Sequence, residues 1–417
     1  MDKKAVLKKI MDAQNKKAGS VVVGFGNEVA NPLEFLPTPS EEFNAIVGGG
    51  IPRRRISEIF GPQSSGKTSL MEEMIGEDMQ ADPDAFWLWG ETEDTFDLEY
   101  AQKVHGIDPE RLILIEQSED GGEALIDLME PYLRSGVIKG FVVNSVAGLA
   151  PKKELETDMA KDNIALQARM MSKLMRKWTA IINKKGLYAV FINQVRTNVG
   201  QMFGDPNVTT GGRALSFFSS LRVGLSKLQL NEQDPITVDD GMKVGVRVAK
   251  NRCVYDNPYK KGEYLVIYGI GVDKLSEIID KSPEANIGVR KSGSWFYIED
   301  ASGDVISAPK AVVDGEEVTD VPLKFQGKTK FRDFLNQNEW LANDLRDKLR
   351  DAVKTGEIVA KSQDEDEMKE IEKLEKLQAK IDAQEKARLE KAQQKKKEKK
   401  DKKDVTPEKT KKKKETA

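Results

Sequence analysis

One stretch of the sequence has the residue types and spacing needed to hold a chain of phosphates. Gly61-Pro62-Gln63-Ser64-Ser65-Gly66-Lys67-Thr68-Ser69 fits the pattern G-x-x-x-x-G-K-[ST]. Its glycines let backbone N–H groups wrap an anion, and a helix starting at its end adds a positive dipole. Lys67 is the cation for the β- and γ-phosphates, and the Thr68 hydroxyl is a ligand for Mg²⁺. The chemistry implied is binding of ATP or GTP. A second group of residues, Gly90-Glu91-Thr92-Glu93-Asp94, puts carboxylates just past an apolar run, where they can orient an attacking water. A third apolar run ends in Phe141-Val142-Val143-Asn144-Ser145. An aspartate would serve the metal there; Asn144 keeps an acceptor oxygen but lacks the charge, which predicts weaker Mg²⁺ binding.

Basic residues form another set. Residues 195–212 contain Gly200, Gly204, Gly211 and Gly212, as a loop ordered by a ligand requires. Arg196 and Arg213 at its ends, with Arg169 and Arg176 upstream, are suited to phosphate contacts, and Val199 is an apolar side chain able to wedge between bases. Arg169 and Arg176 are seven residues apart and share a helix face, which on its own could equally be a solvated surface, whereas Met170, Met171 and Met175 read as helix core. His105, Cys253 and the five tryptophans (Trp87, Trp89, Trp178, Trp295 and Trp340) read as structural, the tryptophans as core or partial core.

These residues need elements to place them. Short β-like runs are expected at 56–60, 85–89, 141–144 and 187–193, with helices at 69–79, 122–135 and 164–184 between them. That alternation predicts a parallel sheet covered by helices. Beyond residue 219 the rhythm changes to closely spaced strands at 221–228, 244–250 and 264–268. A smaller α+β region follows residue 273, with helices at 276–281 and 330–355. A basic helix at 4–17 and a strand at 20–24 precede the core. Residues 366–392 lack Gly and Pro and read as a helix, either single and exposed or in a weak coiled coil.

Composition narrows the class. At 417 residues, with 39% hydrophobic residues, the chain can fill two or three domains. One cysteine excludes a disulfide framework and a thiolate zinc site, and one histidine excludes a multi-histidine metal centre. No apolar run approaches the ~20 residues of a membrane span, and the charged N-terminus does not read as a signal peptide. The net charge of −3 hides an asymmetry: residues 361–417 carry +5, of which 391–417 carry +8 through 13 lysines against 5 acids. This lysine block reads as disordered, and serves either as a solubilising tail or as a sequence-independent contact with nucleic acid.

Taken in order, these residues resemble the bacterial RecA family of recombinases. The phosphate loop, Glu91 to Asp97 with Tyr100-Ala101-Gln102-Lys103, ALQARMMSKLMRK at 165–177, FINQVR at 191–196 and MFGDPNVTTGGRAL at 202–215 carry the resemblance, which runs from about residue 4 to 353. The basic end of the tail, Asn144, and Thr197-Asn198 in place of a methionine and a lysine depart from the family, and suggest a divergent, phage-type member.

The resemblance implies a catalytic role for Glu93 in activating water, with Lys67 and Gln194, the latter as a γ-phosphate sensor. It implies adenine contacts from Asp97 and Tyr100, and residues Lys250 and Arg252 reaching the ATP of a neighbouring protomer. It implies ATP and Mg²⁺ as cofactors, single- and double-stranded DNA and a homo-oligomeric helical filament as partners, single-strand-binding or loader proteins as further partners, no membrane, and a bacterial cytoplasm. The expected fold class is α/β, a RecA-like core on a central mostly parallel sheet. The expected division is a polymerisation arm at 1–35, the ATPase core at 36–273, a small α+β domain at 274–360 and a charged tail at 361–417. The function implied is filament formation on single-stranded DNA with homologous pairing and strand exchange. A helicase on the same fold and a DNA-coating protein with weak hydrolysis are the rivals.

Overall fold

The computed structural model describes residues 2–19, 23–29, 33–156, 166–197, 207–231, 234–254, 260–300 and 302–355. Met1–Ala360 form one unit and Lys361–Ala417 a second, so the expected tail helix at 366–392 and the lysine block lie outside the described residues.

The core is a ten-stranded sheet. In chain order its main strands are β1 (Ile56–Gly61), β2 (Trp87–Glu91), β3 (Leu112–Glu116), β4 (Gly140–Asn144), β5 (Tyr188–Thr197), β6 (Leu221–Leu228), β7 (Gly241–Asn251), β8 (Lys261–Ile267) and β9 (Gly271–Val272). Their spatial order is β9-β8-β7-β6-β1-β5-β4-β2-β3, with the short strand Asn207–Thr209 paired to β5. The six from β6 to β3 run parallel, and β7, β8 and β9 add an antiparallel edge. Alternation of side chains makes the sheet two-sided. Trp87 and Trp89 of β2 enter one apolar cluster with Met71 and Ile75, while Leu88 enters the other with Phe141, Trp178 and Phe191.

Helices α1 (Lys3–Ala18), α2 (Glu41–Val47), α3 (Lys67–Ala81), α4 (Leu98–His105), α5 (Gly122–Ser135), α6 (Leu166–Lys185) and α7 (Arg213–Phe218) accompany these strands. Helix α1 has no buried residue; Asp2 caps it by accepting from the Lys4 N–H at 3.0 Å. Three helices follow β9: α8 (Lys274–Glu284), α9 (Lys328–Gln337) and α10 (Glu339–Thr355). With a three-stranded sheet and a two-stranded hairpin they enclose a separate apolar cluster built on Phe296, Phe325, Phe331 and Phe334.

Four expectations are corrected. The helix expected at 330–355 is two helices, because buried Asn338 gives its amide to the carbonyls of Val312 and Phe334 and accepts the Val312 N–H. Strand β3 was not expected; its Leu-Ile-Leu-Ile run is short and half-exposed at the sheet edge. Of the strand expected at 20–24, residues 20–22 lie outside the described residues, and Val23 and Gly24 are irregular backbone. Trp340 is 48% exposed and is not core, whereas Trp87, Trp89 and Trp178 are fully buried.

Candidate nucleotide and DNA site

Strand register gathers the site. Gly61 at the end of β1 lies beside Gln194 on β5, and Glu91 at the end of β2 lies beside Asn144 on β4. The polar residues expected to act on nucleotide therefore stand at the carboxyl ends of neighbouring parallel strands, where open α/β sheets bind ligands.

The phosphate loop turns from β1 into α3 with Ser64 and Gly66 in the left-handed region, at φ 57° and 82°. Gly66 is the N-cap of α3 and supplies no side-chain cap, so the first N–H groups of that helix are free for an anion. Lys67 is buried, and its ammonium donates to the carbonyls of Gly61 (3.2 Å) and Pro62 (2.7 Å) and to Ser65 Oγ (3.4 Å). Burial lowers its pKa, against the opposing attraction of Glu93. A desolvated cation resting on its own loop, beside an uncapped helix end, fits a phosphate group in shape and charge.

The two glutamates of the acidic turn differ. Glu91 is fully buried and takes hydrogen bonds from Trp89 Nε1 (2.8 Å), Asn144 Nδ2 (2.9 Å) and the Glu93 N–H (2.9 Å). It is a structural acceptor. Glu93 is half-buried, and its Oε1 accepts from Gln194 Nε2 at 2.9 Å and from the Ser145 hydroxyl. Asn144 thus spends its amide on Glu91, a use that the sequence does not display.

Beside the loop is a pocket of about 100 Å³ whose walls include Gly66, Ser69, Tyr100, Met242, Tyr264 and Tyr268. Tyr100 projects from the first turn of α4, which Asp97 caps by accepting the Tyr100 N–H at 3.0 Å. Met242 and Tyr268, on or just past the antiparallel strands, were not picked out by sequence reasoning. Only the chain's return alongside β1 brings them here. Lys250 is tied to the carbonyls of Ser216 (2.8 Å) and Phe217 (2.9 Å) at the end of α7, while Arg252 is exposed.

The DNA candidates group around α6 and α7. Arg169 and Arg176 are exposed on α6, and Met170, Met171 and Met175 face the core as expected. Gly211 and Gly212 have φ of 83° and 76°; a Cβ on Gly212 would stand 2.7 Å from Ala168 Cβ, so only glycine lets the loop's end approach α6. Exposed Arg213 follows directly as the first residue of α7. Val199 and the side chain of Arg196 lie outside the described residues. The loop's base is closed by Asn193, which donates to Glu58 Oε1 (2.9 Å) and the Thr210 carbonyl (3.1 Å), one residue before Gln194.

Comparison with known proteins agrees with this geometry. The family described as RecA N-terminal domain matches residues 4–273. The chain is 35% identical over 339 residues to Protein RecA of Mycobacteroides abscessus, covering 81% of this chain and 89% of that protein. It is 34% identical over 366 residues to Protein RecA of Mycolicibacterium smegmatis, covering 87% and 96%. Protein RecA of Acidothermus cellulolyticus is 34% identical over 332 residues. With the phosphate loop, the strand order and matches of this extent in agreement, the chain belongs to the RecA family.

Proposed function

We propose that the site binds ATP with Mg²⁺ and that Glu93 activates the attacking water. The chain is a DNA-dependent ATPase of homologous recombination, a RecA-family protein that binds DNA and forms filaments. The observation that carries the site assignment is the Glu93 carboxylate held jointly by Gln194 and Ser145 next to the phosphate loop. Residues 61–69 would hold the phosphates, Lys67 supplying the cation, and Thr68 and Asn144 would face the metal, which when bound neutralises phosphate charge. Asp97 and Tyr100 would hold adenine at the mouth of the pocket.

The amide of Gln194 has two N–H donors, one given to Glu93, and it can turn toward a phosphate oxygen when nucleotide is present. Exchange between them would move the end of β5, and with it the 195–212 loop, so that nucleotide state reaches DNA. Arg169, Arg176, Arg196, Val199, Gly211, Gly212 and Arg213 would form that DNA surface, on single strands and on duplex. Lys250 and Arg252 would act on ATP held by a neighbouring protomer in a helical filament. The divisions 1–35, 36–273, 274–360 and 361–417 are the domain plan we propose, with strand-loading proteins as further partners. Among the described residues no helix is long and apolar enough to cross a membrane.

ATP turnover measured with and without single-stranded DNA tests this reading. Marked stimulation by DNA, lost in Glu93→Gln, supports it; DNA binding with negligible turnover favours a coating protein, and unwinding without strand exchange favours a helicase.

A further inference from the structure

His105 is the single histidine of the chain, and nothing above gives it a task. It ends α4, the helix that presents Tyr100 to the nucleoside pocket, and its side chain has no exposed surface. Among the described residues neither ring nitrogen has a hydrogen-bond partner within ordinary distance. Its nearest polar neighbour is Glu72 on the phosphate-loop helix α3, with Nε2 and Oε2 3.5 Å apart and the Glu72 side chain also buried. The two helices touch here: a Cβ on Gly76 of α3 would stand 1.7 Å from the His105 carbonyl oxygen. The imidazole meets the Tyr100 ring edge-on, with centroids 5.3 Å apart. A buried polar group without a partner requires an explanation, and this one sits directly behind the residue that would stack on adenine.

We propose that Glu72 and His105 share one proton, and that this O–H···N contact fixes α4 against α3 and so sets Tyr100 as a wall of the nucleoside pocket. Both are positioning residues, and the inference rests on the nucleotide assignment made above. Burial pushes the Glu72 carboxyl up to about 7, with Glu91 and Asp97 adding to the effect, and pushes the His105 imidazole down to about 4, with Lys274 adding. Between those values the neutral carboxyl donates and the neutral ring accepts.

The charged and titratable groups facing the pair are Glu91 at the end of β2, Asp97 and Tyr100 at the start of α4, Glu73 beside Glu72 on α3, and Lys274 on α8. Loss of the proton therefore leaves a buried carboxylate among other carboxylates. Because the folded-state value of Glu72 is raised, the contact is present below neutrality and is lost as the pH rises through about 7.

The test uses the full chain and a ribose-labelled fluorescent ATP analogue, titrated from mildly acid to mildly alkaline pH. Wild-type affinity falls about fivefold across neutrality, the range of one weak buried contact. Glu72→Gln, whose amide donates to the neutral ring's Nε2 throughout that pH range, removes that component and keeps the tight-binding limb. His105→Leu binds about fivefold more weakly at acid pH and raises KM for ATP more than it lowers kcat. The analogue's own phosphate protonation enters every profile alike. A Glu72→Gln profile that keeps the wild-type slope overturns the proposal, and if His105→Leu does not fold that profile decides alone. Absence of nucleotide binding by the wild-type chain overturns the nucleotide assignment instead.

Discussion

Lys67, Glu93 and Asn144 are each held differently, and each therefore fails differently when changed. The Lys67 ammonium leans on Gly61, Pro62 and Ser65. Lys67→Ala leaves those oxygens in place but removes the cation, so hydrolysis falls by about a hundredfold or more, read by phosphate release. Glu93→Gln keeps an oxygen for Ser145 and Gln194 but cannot take a proton. Nucleotide binding persists while turnover drops about a hundredfold, and wild-type turnover in that variant contradicts the assignment of the base. Asn144→Asp, which the sequence alone presents as a gain of metal charge, sets a second carboxylate against buried Glu91 in place of a 2.9 Å hydrogen bond. The fold then loses about 1–3 kcal/mol without nucleotide, measured by denaturant unfolding. The placement of residues was legible where a motif carried it, as in the phosphate loop that turns from β1 into α3. The partnerships Asn144–Glu91, Gln194–Glu93 and His105–Glu72 were not, because strand register and helix docking create them between distant parts of the chain.

Elements were most legible where local chemistry ends them sharply. Helix α5 begins after Gly121 and stops at Gly136, both with positive φ, and its expected and observed limits coincide at 122–135. Strand β3 and the break at Asn338 escaped because neither Leu112–Glu116 nor residues 330–355 carry a glycine or proline to mark them. Two elements make predictions of their own. Helix α1 has no fully buried residue and exposes Val6, Leu7 and Ile10. Deleting residues 1–24 therefore costs filament formation before it costs folding, by light scattering against thermal melting. Helix α10 is bound to the core by ions: Arg346 and Arg350 meet Glu41 and Glu77, and Lys274 of α8 meets Glu77 as well. Burial alone would raise the Glu77 carboxyl, but Arg346, Lys274 and Arg350 outweigh it and hold it at about 2. A depressed carboxyl stabilises above its unfolded value and loses that effect as pH falls, here between about 4.5 and 2. Glu77→Gln is thus less stable at neutral pH and shows a shallower loss on acidification, followed by circular dichroism.

At the scale of the whole molecule, the −3 net charge separates into an acidic body and a basic end, with +8 on residues 391–417. If that end meets DNA phosphates, its removal flattens the dependence of log affinity on log salt; an unchanged slope makes it a solubilising tail. The fold class was legible throughout, since the alternation of apolar runs and helices required a parallel sheet, and the ten-stranded sheet carries it. On this reading nucleotide at the phosphate loop and DNA at the 195–212 segment are coupled, and the coupling drives strand exchange. The most direct measurement mixes circular single-stranded DNA with homologous linear duplex, the protein, ATP and Mg²⁺, and follows joint molecules and nicked circles on a gel. On the coupled reading the wild-type chain gives both products, and neither forms with Lys67→Ala or with heterologous duplex. Strand exchange that is indifferent to homology, or its absence under conditions where the protein hydrolyses ATP on DNA, would contradict it.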